Sequence, residues 1–228
     1  MSIYAISDFH LAFTTDKPMD VFGDNWYKHE EKIKENWANI ISDEDTVLIA
    51  GDISWSMKME EGMMDLEWIH NLPGRKILVK GNHDYWWTSI TKLNKLYEDM
   101  NFIQNNYFSY DDYAICGTRG WVCPGVEKFT AQDEKVYNRE LIRLRLSLES
   151  AAKEGFNKFI VMLHYPPTND KCRESGFVEI FKEYNVEKVI YGHLHNVSKD
   201  KVLDEEIDGI GYILTSCDYL DFKPIKII

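Results

Sequence analysis

Along the chain, short apolar runs alternate with longer segments that carry one apolar face. The runs at residues 3–7, 46–50, 76–80, 159–163 and 186–191 each end abruptly in polar residues. Runs this short and this uniformly apolar predict strands buried on both faces. Trp26, Ile33, Trp37, Ile40 and Ile41 fall on one face of a predicted helix over 24–41. Met63, Leu66, Ile69 and His70 do the same over 57–71, where Pro73-Gly74 stops the chain. The longest predicted helix covers 131–154, with an apolar stripe of Leu141, Leu144, Leu148 and Ala151. Another covers 176–184. Alternating runs at 107–110, 113–117 and 212–215 predict further strands, with Asp111-Asp112 turning a hairpin between the first two. Strand then helix, repeated, predicts an α/β layered fold with mixed sheets. Periodicity alone leaves open whether two sheets face each other with helices outside or one open sheet forms.

At 228 residues, with no repeat or linker-like tract, the chain is expected to form one domain over 1–228. Its longest apolar run, 159–163, is far short of the ~20 residues that span a bilayer. No basic, apolar leader precedes Asp8, so a cytoplasmic location without membrane attachment is expected. Composition leaves the oligomeric state open. Cys116, Cys123, Cys172 and Cys217 are scattered without a CxxC pair and read as reduced thiols. Lys and Arg number 26 against 38 Asp and Glu, a net charge of −12. Such a surface repels a phosphate backbone and argues against general nucleic-acid binding. A bound cation reverses the field locally, so a small anionic substrate remains compatible.

The polar residues that follow the buried runs carry the chemistry. They are Asp8-Phe9-His10, Gly51-Asp52, Gly81-Asn82-His83-Asp84, His164 and Gly192-His193-Leu194-His195. Ligands of α/β folds bind beyond the carboxyl ends of strands. Five such ends deliver His, Asp or Asn, and five of the chain's seven histidines lie there. Imidazole, carboxylate and amide oxygen together suit Mn, Fe, Zn, Co or Ni better than Cu(I), and so many histidines are unlike a Mg or Ca site. The two-residue spacings 8/10 and 193/195 put paired side chains on one side of an extended backbone. Taken singly, Gly51-Asp52 reads as a helix-capping turn, Asn82-His83-Asp84 as an Asx-turn and His164 as a core histidine. Together they require five coincidences in one topological place.

The ordered set resembles the calcineurin-like metallophosphoesterase superfamily, and the likeness runs from residue 8 to residue 195. The resemblance implies a four-layer α/β/β/α sandwich with two mixed β-sheets flanked by helices, and two metal ions (Mn, Fe or Zn) above the strand ends. It implies Asp8, His10 and His195 on one ion, Asn82, His164 and His193 on the other, and Asp52 bridging both. The implied reaction is hydrolysis of a phosphomonoester or phosphodiester by in-line attack of a metal-bridging hydroxide. His83 is implied to contact the phosphate, with Asn82, and to protonate the leaving oxygen. Asp84 is expected to orient the His83 imidazole.

The substrate is less legible. Trp55, Trp86, Trp87 and Trp121 flank the proposed mouth, where packing against loops is favoured over stacking on a substrate. Arg119 is a candidate for a bidentate grip on a phosphate oxygen, with an ordinary ion pair the competing reading. The 127–134 stretch is expected to form a flap. A small phosphoester, nucleotide-derived among the options, is the preferred substrate. A nuclease, a protein-binding scaffold of the same fold and a mononuclear metal-binding protein are the alternatives.

Overall fold

The computed structural model describes residues 1–126, 128–169 and 174–228. Cys172 and Glu127 therefore lie outside the described residues. The elements run β1 (Ile3–Ala5), α1 (His29–Ile40), β2 (Thr46–Ile49), α2 (Met59–His70), β3 (Arg75–Val79), α3 (Ile90–Leu93) and β4 (Met100–Ile103). They continue β5 (Phe108–Tyr110), β6 (Tyr113–Thr118), α4 (Ala131–Lys153), β7 (Lys158–Leu163), α5 (Gly176–Tyr184), β8 (Val186–Tyr191), β9 (Glu206–Ile207), β10 (Ile210–Leu214) and β11 (Ile225–Lys226).

Two sheets form, in the strand orders β11-β1-β2-β3-β4 and β5-β6-β7-β8-β10-β9. In the first, β1 to β4 are parallel and β11 antiparallel. In the second, β6, β7, β8 and β10 are parallel, with β5 and β9 antiparallel at the edges. The predicted hairpin is present, with Tyr110 opposite Tyr113 and Asp111 left-handed at φ 48°.

Side-chain alternation explains why the sheets stack. On β7, Ile160 and Met162 point into an apolar layer shared with Leu48, Ile77 and Val79 of the first sheet. Phe159, Val161 and Leu163 point the other way, into a layer with Leu144 and Leu148 of α4 and Phe181 of α5. On β2, Val47 and Ile49 face the third layer, which holds Ile33 and Trp37 of α1 and Leu66 and Ile69 of α2. Three apolar layers between helix, sheet, sheet and helix make the α/β/β/α sandwich. Each such side chain contributes ~1.5–3 kcal/mol on burial, which is why β2 and β7 are buried on both faces.

Three boundaries differ from expectation. The helix predicted over 24–41 begins only at His29, because Lys28 adopts φ 52° and residues 19–26 form short 3₁₀ turns instead. Trp26 therefore leaves the helix and joins the wall of the site. The edge strand β4 was not expected, since its four residues lie among Asn and Asp. The expected flap is also absent among the described residues of 128–134. Thr130 and Asp133 form a reciprocal cap that starts α4, and Trp121 Nε1 donates to Asp133 Oδ1 at 3.0 Å. Among the described residues no helix is long and apolar enough to cross a membrane; Cys116, Cys123 and Cys217 are buried, and Cys116 and Cys217 are free thiols. Burial pushes the Cys116 thiol up to about 12, so it is inert.

Candidate metal centre

The carboxyl ends of the two sheets meet at one place. Ser7, just past β1, pairs with Ser216, just past β10, and its Oγ lies 2.8 Å from Thr215 Oγ1. Beyond the strands the exits of β1 and β2 stay paired: Asp8 N donates to Gly51 O and His10 N to Asp52 O, both at 3.0 Å. Across the gap, Gly192 N donates to His164 O at 3.1 Å, tying the exits of β7 and β8 together.

The expected route to convergence needs correction. Asp8 (φ 60°), His10 (φ 48°), Asp52 (φ 49°) and His193 (φ 73°) are all left-handed rather than extended. Sharp turns, not strand alternation, aim these side chains, and non-glycine residues hold such angles only where the surroundings fix them. Two glycines make room. A Cβ on Gly192 would collide with the Asp8 carboxylate, and one on Gly81 with the backbone and carboxylate of Asp52.

The result is two clusters of ligand atoms, Asp8–His10–His195 and Asp52–His164–His193, each with its atoms within 4.8 Å of one another and only His195 and His193 half-buried. His10 Nε2 and His195 Nε2 are 3.2 Å apart, and His195 Nε2 is 3.8 Å from Asp8 Oδ1. His164 Nε2 lies 2.7 Å from Asn82 Oδ1, 3.2 Å from His193 Nδ1 and 3.4 Å from Asp52 Oδ2. Asp52 Oδ2 is also 3.7 Å from His10 Nε2. One carboxylate oxygen thus stands between the two clusters.

The donor set fits cations. His164 Nδ1 sits 3.0 Å from Ala50 O, which can only accept, so the ring carries its proton there and Nε2 is bare. That bare nitrogen faces the Asn82 and Asp52 oxygens. Lone pairs packed together inside a protein are costly unless a cation sits among them. Burial, with neighbouring imidazoles, pushes His164 and His193 down to about 3, leaving both neutral and able to ligate. Burial likewise lowers His10 and raises both Asp8 and Asp52. His195 goes the other way. Burial lowers it, but Asp218 and Asp8 outweigh burial and raise it, so this corner favours positive charge.

Several residues of the site went unseen in the sequence. Asp218 Oδ1 is 2.8 Å from His195 Nδ1 and turns Nε2 toward Asp8, the usual way a carboxylate orients a metal-binding histidine. Ser216 Oγ donates to Asp8 Oδ2 at 3.0 Å. Both follow β10, whose exit carries no histidine and so gave no signal beyond the nearby strand. Met19, Phe22 and Trp26 join Trp55 as the apolar wall of a cavity of about 270 Å³ that also exposes His10, Asp52, His83, His193 and His195.

His83 faces that cavity, with Nε2 4.0 Å from Asp52 Oδ2 and its ring 4.2 Å from that of Trp55. The Asp84 carboxylate, expected to orient the His83 imidazole, takes other partners. The buried Asp84 carboxylate accepts from Ile53 N, Ser54 N, Gly81 N and Trp86 Nε1 at 2.7–3.1 Å, which saturates both oxygens and pins the β2 and β3 exits together. Burial and nearby Asp52 push it up to about 7. Arg119 is likewise displaced from its expected place. Its guanidinium stacks over Trp121 at 4.5 Å and approaches Glu140 Oε1 at 3.6 Å, lining a different cavity. Of the four tryptophans singled out, Trp55 lines the cavity beside the two clusters, whereas Trp86 and Trp87 are buried and Trp121 packs on Tyr165.

The profile of the calcineurin-like phosphoesterase family matches residues 1–197. The chain belongs to that family. Gene 66 protein of Mycobacterium phage L5 is 35% identical over 78 residues, covering 34% of this chain and 37% of that protein. Gene 66 protein of Mycobacterium phage D29 is 25% identical over 168 residues, covering 74% of this chain and 66% of that protein. The chain thus spans from about a third to about two thirds of the length of these curated relatives. Phosphopantetheinyl hydrolase from Mycobacterium tuberculosis shares the fold, with a TM-score of 0.60 at 13% identity over 100% of this chain and 95% of that one.

Proposed function

We propose that the protein is a dinuclear metal-dependent phosphoesterase acting on a small phosphomonoester or phosphodiester. The observation that carries this reading is Asp52 Oδ2, placed between two clusters of inward-facing acceptors. Asp8, His10 and His195 would hold one cation, Asn82, His164 and His193 the other, with Asp52 shared. Bound cations supply Lewis-acid polarisation of the phosphoryl oxygens and lower the pKa of water to about 7.

The chain's own groups do the rest. Ala50 O and Asp218 lock the His164 and His195 rings, so the ligand atoms need little reorganisation. His83 Nε2, on the cavity side of Asp52, is positioned to donate a proton to the departing oxygen. Trp26, Trp55, Met19 and Phe22 exclude water from one side and cover an apolar leaving group. A cavity this small, on a chain of net charge −12, suits a small ester better than a polynucleotide.

The test combines elemental analysis with turnover of bis-p-nitrophenyl phosphate, p-nitrophenyl phosphate, nucleotides and DNA in Mn, Fe or Zn. Two metal equivalents with turnover of small esters are expected. Activity confined to long DNA or RNA, or no turnover with metals bound, overturns the reading.

A further inference from the structure

A second cavity, of about 370 Å³, shares no lining residue with the first. It lies where the exits of β3 and β6 meet α4, and Lys80, Arg119, Arg139 and Arg143 line it. Four cations in one cavity are unexpected on a chain with twelve excess negative charges. The bland explanation is that the arginines neutralise Glu140, which is fully buried on α4. That accounts for only part of the charge. Arg143 donates to Glu140 Oε1 at 3.0 Å, while Arg119 and Arg139 stand back at 3.6 and 3.7 Å. The other oxygen, Oε2, accepts from Thr118 Oγ1 at 2.5 Å. Glu140 opposes the arginines, and Asp84, itself pushed up to about 7, acts on Lys80, so between two and three positive charges remain.

Two further donors point to a ligand. The Nε–H of Arg119 and the indole N–H of Trp87 are buried without a hydrogen-bond partner among the described residues. Both residues line this cavity, and Trp87 is only 8% exposed. A buried donor left unmade is expensive, and an acceptor-rich anion satisfies it. One phosphate monoester brings ~2 negative charges at neutral pH, fewer than the surplus. Two linked phosphates match it better.

We propose that this cavity is a second site, separate from the metal centre, that binds a small anion with two adjacent phosphates, such as pyrophosphate or the diphosphate of a nucleotide. The volume lies within the ~300–1,000 Å³ of small-molecule sites, and guanidinium groups fit paired phosphate oxygens. The site stands whether or not the phosphoesterase reading holds, since no proposed metal ligand lines it.

The seven indole N–H signals of ¹⁵N-tryptophan-labelled, zinc-loaded protein test it. Inorganic pyrophosphate is titrated in, and the Trp87 signal is assigned with Trp87→Phe. A saturable shift of the Trp87 signal is expected, tighter for pyrophosphate than for inorganic phosphate. Arg139→Gln and Lys80→Gln should each weaken it about tenfold, as loss of a charge-assisted contact does. Trp26 and Trp55 report the metal cavity in the same spectra, so binding there is told apart. An ADP arm distinguishes sources: tighter ADP binding assigns a nucleotide, tighter pyrophosphate the inorganic anion. A Trp87 signal unmoved by millimolar pyrophosphate, or a shift unchanged in both charge variants, overturns the proposal.

Discussion

At the scale of single residues, His83 and Asp218 separate proton transfer from metal holding. His83 lies beyond both ligand clusters, so His83→Ala should lower turnover ~10²–10⁴-fold with metal content unchanged. Loss of metal in that variant, or full activity, contradicts the assignment. Asp218 reaches the site through the His195 ring and by accepting from Asn196 N, so Asp218→Ala should weaken metal affinity ~10–100-fold, read by competition with a chelator. The ligand types were legible in the sequence because each follows a buried run. Their orienters were not. Asp218 is one of 38 acids, and only the folded exit of β10 brings it to His195. Asp84 misled for the opposite reason: adjacency to His83 in sequence says nothing of direction, and four backbone and indole donors claim its carboxylate.

Among the elements, the strands buried on both faces could be read from composition because neither face admits a polar residue. The edge strand β4 and the start of α1 could not, since both depend on tertiary contacts or on a single left-handed residue, Lys28. Gly192 illustrates what the loops demand. Gly192→Ala places a methyl against the Asp8 carboxylate and should cost metal binding and ~2 kcal/mol of stability, measured by denaturant titration. The junction of α2, β3 and β4 offers a second test. Buried Lys76 Nζ donates to Asp99 Oδ2 at 2.6 Å, and His70 Nδ1 lies 2.6 Å from Oδ1. Burial alone would raise Asp99, yet Lys76 and His70 outweigh it and hold the carboxyl below its usual range. Lys76 is itself lowered by burial, with Asp99 restoring part, so the pair is worth less than Asp99 alone suggests. A carboxyl depressed in the folded state stabilises fully above its unfolded value of ~3.9 and loses that contribution as pH falls below it. Asp99→Asn should therefore cost ~2 kcal/mol at neutral pH and flatten the acid limb below about pH 4. An unchanged acid limb would show that Asp99 is not the group responsible.

For the molecule as a whole, the sandwich brings the exits of both sheets to one point, and the charges held there oppose folding until they are compensated. Burial raises both Asp8 and Asp52, and the Asp52 charge raises Asp8 further, so removing metal should destabilise the protein. Restoring it to ~100 times its dissociation constant should return ~2.7 kcal/mol, visible as a rise in Tm. The most direct measurement is anomalous diffraction from crystals grown with Mn or Zn. Two peaks are expected on either side of Asp52 Oδ2, ~3.5–4 Å apart, one among Asp8, His10 and His195 and the other among Asn82, His164 and His193. A single peak, or none at Asp52 with metal present in the crystal, would contradict the account.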